Sequence, residues 1–136
     1  MKKLVLYTDG ASRGNPGPAG IGALLYDAKG RLVAEISEYL GEATNNVAEY
    51  TALIKALNKA LELGAEEVQI YTDSELLTRQ INGSYRVKSE GLKPLFLEVM
   101  ALKRRFAAFS INHVSREKNK EADRLANLGI DAFQNQ

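Results

Sequence analysis

Two short stretches of the chain share one chemical pattern: LYTDG at residues 6–10 and IYTDS at 70–74. Each is an apolar run ending in an aspartate, Asp9 in the first and Asp73 in the second. Side chains alternate across a strand, so Asp9 shares a face with Tyr7 and Val5, and Asp73 with Tyr71 and Gln69. An ionised carboxylate on an apolar strand costs free energy unless something compensates it. If the two strands are parallel neighbours, the carboxylates lie side by side and repel unless a proton or a cation sits between them. A hard divalent ion such as Mg²⁺, which takes carboxylate oxygens, meets that need. Each aspartate also has a plainer role, Asp73 as a cap for the helix beginning at Ser74 and Asp9 as the opening of a turn with Gly10.

Two further acids stand near helix starts. Asn46-x-x-Glu49 has the spacing of a capping box, and Asp123 in the first turn of the last helix suits the helix dipole. The loop GASRGNPGPAG (10–20) is not a dinucleotide fingerprint, because it leads into a strand and lacks the Gly-Lys-Ser/Thr ending of a phosphate loop. Its composition reads as a tight turn whose glycines also permit close approach of main chain to a ligand.

The elements that must position these residues follow from periodicity. Strands are expected at 3–9, 20–27 and 31–39, the last two joined by the short connection AKG, a hairpin signal. Val47, Tyr50, Ile54, Leu57 and Leu61 then recur at spacings of three and four, with Asn46 placed to cap the helix and Gly64 to end it. A fourth strand precedes Asp73, and a short helix runs from Ser74 to Gly83. Pro94 opens another helix with a stripe of Leu95, Val99, Leu102 and Phe106. FSINHVS (109–115) is the fifth strand, and the last helix starts at about Asn119 with Ala122, Leu125, Ala126 and Phe133 facing inward. The order β-β-β-α-β-α-α-β-α implies an α/β protein, with a five-stranded mixed sheet flanked by helices.

Composition narrows the class. The 136 residues fit one domain, 1–136, and 45% hydrophobic residues suffice for one core. No apolar run approaches the roughly 20 residues of a membrane helix, and the apolar part of MKKLVLYTDG is too short for a secretory leader. Cysteine is absent, so no disulfide framework or thiolate site exists, and a reducing, cytoplasmic setting is expected. A net charge of +1 means that any nucleic-acid surface must come from a local cluster.

Taken together, YTDGASRGNPGPAGIG, TNNVAEY, YTDSELL and HVSREKNKEADRLAN resemble type 1 ribonuclease H, in its short bacterial, archaeal and plant-like branch. The resemblance covers nearly the whole chain in the same element order. It implies the ribonuclease H-like fold and a metal-dependent endonuclease that hydrolyses the RNA strand of RNA–DNA hybrids. The implied cofactor is a pair of Mg²⁺ ions per site, with Mn²⁺ as a substitute, and the implied products carry 5′-phosphate and 3′-hydroxyl ends. By motif position, Asp9, Glu49, Asp73 and Asp123 match the catalytic metal-binding carboxylates, with Asp9 between the two ions. Ser12, Gly14 and Asn15 match the loop that approaches RNA 2′-hydroxyls, the groups that tell RNA from DNA. Asn45 and Asn46 match side chains that contact bases and sugars, Thr44 one that holds a DNA-strand phosphate, and Ser74 and Glu75 positions beside the scissile bond. A catalytically silent binding module of the same fold would not need all four acids. A related exonuclease would place a second acid at position 11, which is Ala11.

Three departures from the family pattern matter. The larger members carry a basic, Trp-rich protrusion between the middle helices, whereas this chain has no Trp and only NGSYRVKSEGLKP there. Arg79, Tyr85, Arg86, Lys88 and the cluster Lys103, Arg104 and Arg105 remain as candidate contacts, the cluster reading mainly as a solvated helix face. The one histidine, His113, falls inside the fifth strand, away from the family's loop histidine, and is assigned a structural role. Arg116 stands in that neighbourhood, either as a phosphate contact or in an ion pair with Glu117 or Glu121. A monomer is expected, binding hybrid with steep salt dependence, and double-stranded RNA remains a second substrate class.

Overall fold

The computed structural model describes residues 2–135. Its elements are β1 (Lys3–Ser12), β2 (Gly17–Asp27), β3 (Leu32–Ala43), α1 (Asn45–Glu62), β4 (Glu67–Thr72), α2 (Glu75–Ile81), α3 (Lys93–Lys103), β5 (Ala108–His113), a 3₁₀ turn (Arg116–Asn119) and α4 (Lys120–Gln134). The five strands form one sheet in the order β3-β2-β1-β4-β5. β1 pairs antiparallel with β2, and β2 with β3; β1 pairs parallel with β4, and β4 with β5. The expected mixed α/β architecture and element order are therefore present.

α1 and α3 cover one face of the sheet and α4 covers part of the other. The main core joins Leu4, Leu6, Leu25 and Ile70 of the sheet to Tyr50, Leu53, Leu57 and Val99 of the helices. Each such side chain contributes about 1.5–3 kcal/mol on full burial. On the opposite face Leu24, Ala122 and Leu125 form a smaller cluster against Tyr7 and Tyr26. The helix ends follow ordinary capping chemistry at α2, where Ser74 Oγ accepts from Leu77 N.

Several boundaries differ from expectation. The three antiparallel strands are longer than 3–9, 20–27 and 31–39, because the β1–β2 ladder continues through Gly10, Ala11 and Ser12 to Ala19. Thr44, not Asn46, caps α1, its Oγ1 accepting from Val47 N at 3.2 Å. The capping box is consequently absent, and Glu49 lies in the second turn with its carboxylate turned to the sheet. Phe133 is not inward-facing: it is 47% exposed, and its ring stacks on Tyr39 with centroids 3.9 Å apart.

Candidate active site

β1 and β4 run in parallel register, Tyr7 opposite Tyr71 and Thr8 opposite Thr72. The two tyrosine rings stack 5.1 Å apart, so the repeated YTD pattern is a physical pairing. One residue further on stand Asp9 and Asp73. β4 ends at Thr72, whereas β1 continues to Ser12. Asp9 is therefore inside its strand rather than at its end, paired across the ladder with Gly22.

Two glycines bring the other acids to it. A Cβ on Gly10 would overlap the backbone of Ala48 and Glu49; lacking one, β1 touches α1, and Gly10 N donates to Glu49 Oε1 at 3.0 Å. A Cβ on Gly22 would overlap the Ala122 carbonyl and Ala126 N. α4 thus lies directly over the strand residue paired with Asp9, which sets Asp123 beside it. The glycine-rich sequence serves as a helix-docking surface as well as a turn.

Carboxylate oxygens of Asp9, Glu49 and Asp73 all lie within 4.8 Å of one another. Asp123 lines the same cavity of about 370 Å³, together with Asn45, Asn46, Ser74, Glu75 and Arg116. Burial, then the charge of Glu49, then that of Asp73, then a hydrogen bond with Asp123, push the Asp9 carboxyl up to about 10. Burial and the Asp73 charge raise Glu49 to about 8, opposed by the Gly10 N–H. Arg116 Nε, at 3.7 Å from Asp73 Oδ2, is the ion-pair partner of the cluster among the described residues. This donor set, oxygen-only and short of positive charge, fits Mg²⁺ or Mn²⁺. A larger, more apolar hollow of about 470 Å³ under Tyr7 and Tyr26 lacks such a set.

The remaining expected residues surround this cavity. Ser12 N donates to Asn45 Oδ1, and Asn45 N donates to Asn15 Oδ1, each at 3.0 Å. This reciprocal pair latches the β1–β2 loop to the start of α1. Gly14 takes a φ of 119°, open to Gly but strained for other residues. Asn15, Asn45 and Asn46 are exposed. Arg116 pairs with neither Glu117 nor Glu121; Glu121 is held by Arg124 at 3.1 Å. His113 ends β5 exposed and does not line the carboxylate cavity. Of the basic candidates, Arg79 pairs with Glu75 at 2.9 Å and lies over the Tyr85 ring, and Lys103 lies over Phe109.

Sequence reasoning missed Asn119. Fully buried, it donates Nδ2 to the Thr8 carbonyl at 2.9 Å and to Asp73 Oδ1 at 3.3 Å. An asparagine at a helix start reads as a cap, but here its side chain bridges Thr8 within β1 and Asp73 just past the end of β4. Its proximity to Asp73 depends on that strand pairing and leaves no local signal.

This sheet order, with acids gathered from β1, α1, the β4–α2 junction and α4, defines a ribonuclease H-like domain. Residues 7–129 match the family model described as "Reverse transcriptase-like". The chain is 44% identical over 131 residues to the "Bifunctional protein Rv2228c" of Mycobacterium tuberculosis, spanning 96% of this chain and 36% of that protein. It is 42% identical over 125 residues to the "Ribonuclease HI" of Halobacterium salinarum, spanning 92% of this chain and 63% of the relative. The solved RNase H1 of that archaeon matches with a TM-score of 0.93 at 41% identity, over 96% of this chain and 98% of the other. LC11-RNase H1, solved in complex with an RNA/DNA hybrid, matches with a TM-score of 0.91 at 45% identity, over 96% and 99% of the two chains. The chain belongs to the ribonuclease H family, in its short type 1 form. No described helix is long and apolar enough to cross a membrane.

Proposed function

We propose that this chain is a single catalytic domain that cuts the RNA strand of RNA–DNA hybrids endonucleolytically, leaving 5′-phosphate and 3′-hydroxyl ends. The observation that carries the reading is the convergence of Asp9, Glu49, Asp73 and Asp123 on one cavity beside Asn45 and Asn46. The solved hybrid complex of LC11-RNase H1 supports the same substrate. Asp9, Glu49, Asp73 and Asp123 would hold two Mg²⁺ or Mn²⁺ ions. When bound, such a pair stabilises both the attacking and the leaving oxygen of an in-line displacement at phosphorus.

The chain's own groups bind and orient. Of the carboxylate acceptors, Glu49 is held by Gly10 N and Asp73 by Asn119 Nδ2. The exposed Asn15, Asn45 and Asn46 present amides to sugar and base edges, while Ser12 and Gly14 shape the loop that meets RNA 2′-hydroxyls. Thr44 Oγ1 and Ser74 Oγ accept from backbone N–H groups, which leaves the Thr44 hydroxyl proton to donate to a phosphate. Arg116, 86% exposed in its side chain and loosely held by Asp73, is free to swing to the scissile phosphate.

One experiment tests the reading. Labelled hybrid, RNA duplex and DNA duplex are each incubated with Mg²⁺, Mn²⁺ or EDTA. Cleavage of hybrid RNA that needs metal and disappears in Asp9→Asn is expected; hybrid cleavage in EDTA, or near-normal turnover by Asp9→Asn, refutes it. Cleavage of the RNA duplex would widen the substrate class.

A further inference from the structure

Asp123, Asn127, Asp131 and Gln134 lie along one stripe of α4, and a single side chain from the β1–β2 loop meets three of them. Arg13 Nη2 pairs with Asp131 Oδ1 at 2.7 Å and donates to Asn127 Oδ1 at 3.3 Å and the Asn127 carbonyl at 3.4 Å; Nη1 donates to Gln134 Oε1 at 2.8 Å. One turn back, Asn127 Nδ2 donates to Asp123 Oδ1 at 3.3 Å and to the Asp123 carbonyl at 3.0 Å. The remaining side of the loop is tied down by Ser12 and Asn15 against Ala43 and Asn45.

We infer that Arg13 and Asn127 are positioning residues that orient the Asp123 carboxylate and link its orientation to the loop that receives RNA. A guanidinium only donates, so whichever end of the Asn127 carboxamide faces Arg13 must be its oxygen. The NH₂ end is then directed at Asp123. Without Arg13 the carboxamide is free to turn over, presenting oxygen to a carboxylate. Asp123 gains most from such a hold. Unlike Asp9, Glu49 and Asp73, it stands outside the tight set of mutually close oxygens, and beside its hydrogen bond with the Asp9 carboxyl the Asn127 amide is the side-chain donor to its carboxylate among the described residues. Partners of this kind behind a metal ligand typically change metal affinity 10–100-fold when removed. An exposed Arg–Asp pair alone would be worth little; here one guanidinium fixes three side chains of a helix that carries a ligand.

The inference rests on the proposed carboxylate metal site, and its test separates the two. Metal-free wild type, Arg13→Ala, Asn127→Ala and the double variant are titrated calorimetrically with Mn²⁺, and Arg13→Lys is added as the conservative variant. Amide ¹⁵N–¹H spectra follow the Asn127 side-chain NH₂ pair. Mn²⁺ affinity is expected to fall about tenfold in each single variant and no further in the double variant. Arg13→Lys should recover part of the loss. The Asn127 NH₂ signals should lose their protection against exchange in Arg13→Ala while the backbone spectrum stays folded. Additive losses in the double variant, or unchanged Mn²⁺ affinity in a folded Arg13→Ala, overturn the inference. These readouts do not require catalysis, so a wild type that binds Mn²⁺ without cutting hybrid would refute the proposed activity and leave the clamp intact.

Discussion

Replacing Asp9 with Asn removes a charge from the carboxylate cluster while keeping nearly the same shape. In metal-free protein the wild-type Asp9 has two ways to exist. Ionised, it faces Glu49 and Asp73 within 4.8 Å, and each of these that is itself ionised costs about 3.5 kcal/mol at an effective dielectric of about 20. Protonated, it costs about 1.4 kcal/mol for every pH unit above its ordinary value of 3.8, or about 5 kcal/mol at pH 7.5. The proton is cheaper than burying the charge beside ionised neighbours, so Asp9 stays neutral and folding takes up a proton. A carboxyl raised on folding stabilises the native state fully only below its unfolded value, and that contribution is lost as pH rises from about 4 through the folded value. Asn is neutral at no such cost. After allowing about 2–3 kcal/mol for the hydrogen bonding lost, Asp9→Asn should stabilise metal-free protein by about 2–3 kcal/mol at pH 7.5. For a chain of this length that is about 7–10 °C in Tm. At pH 5 the protonation cost falls to about 1.6 kcal/mol, less than the hydrogen bonding lost, so the gain should be gone and the variant should be no more stable than wild type. Melting in EDTA at pH 5 and 7.5, followed by circular dichroism, measures both. Mg²⁺ should raise the wild-type Tm more than that of the variant. A variant no more stable than wild type at pH 7.5, or a gain independent of pH, would show that the carboxylates are not crowded as described.

Three other outcomes are expected. Gly10→Ala places a methyl into the Ala48 and Glu49 backbone, so it should cost about 3 kcal/mol by melting and reduce hybrid cleavage at least a hundredfold as α1 and Glu49 move away. Arg116→Ala should leave Tm within about 2 °C, because so exposed a pair contributes little, yet slow hybrid cleavage about tenfold or more; an unchanged rate would remove Arg116 from phosphate contact. Thr44→Ala removes the α1 cap and should cost about 1 kcal/mol, or 3–4 °C, whereas Asn46→Ala should not change Tm.

Much of the fold was legible because its signals are local. The helical spacing of Val47, Tyr50, Ile54 and Leu57, and the alternation in IYTD, each depend on only a few neighbours. The pairing of Asp9 with Asp73 was legible as well, since both follow the same residues on apolar strands. What could not be read depends on partners remote in the chain. Gly10 and Gly22 look like turn and strand glycines until α1 and α4 are seen lying against them. Thr44 and Asn46 are both good caps by type, and only the path of β3 into α1 decides between them. Glu49 and Asp123 each had a sufficient local role. Their place in the cluster followed from resemblance and from packing that brings 49, 73 and 123 to position 9, never from spacing.

A cluster of buried acids weakens a fold, and its placement in this one limits the damage. β1 is the central strand, paired on both sides as far as Thr8, and it is anchored by the fully buried Leu4 and Leu6. The repulsion therefore acts where β4 has already ended, and where an opening of the sheet gives the acids room without breaking a ladder bond. Cation binding then favours the native state by RT ln(1 + [L]/Kd), with the gain growing with pH as the proton on Asp9 becomes easier to displace. At the proposed metal site proton and cation would compete for one group, so raising pH is expected to destabilise the metal-free chain while tightening its hold on a divalent cation. A single core without acids would show neither trend, and a surface acid cluster would show only the second, so the two slopes measured together locate the charge inside the fold.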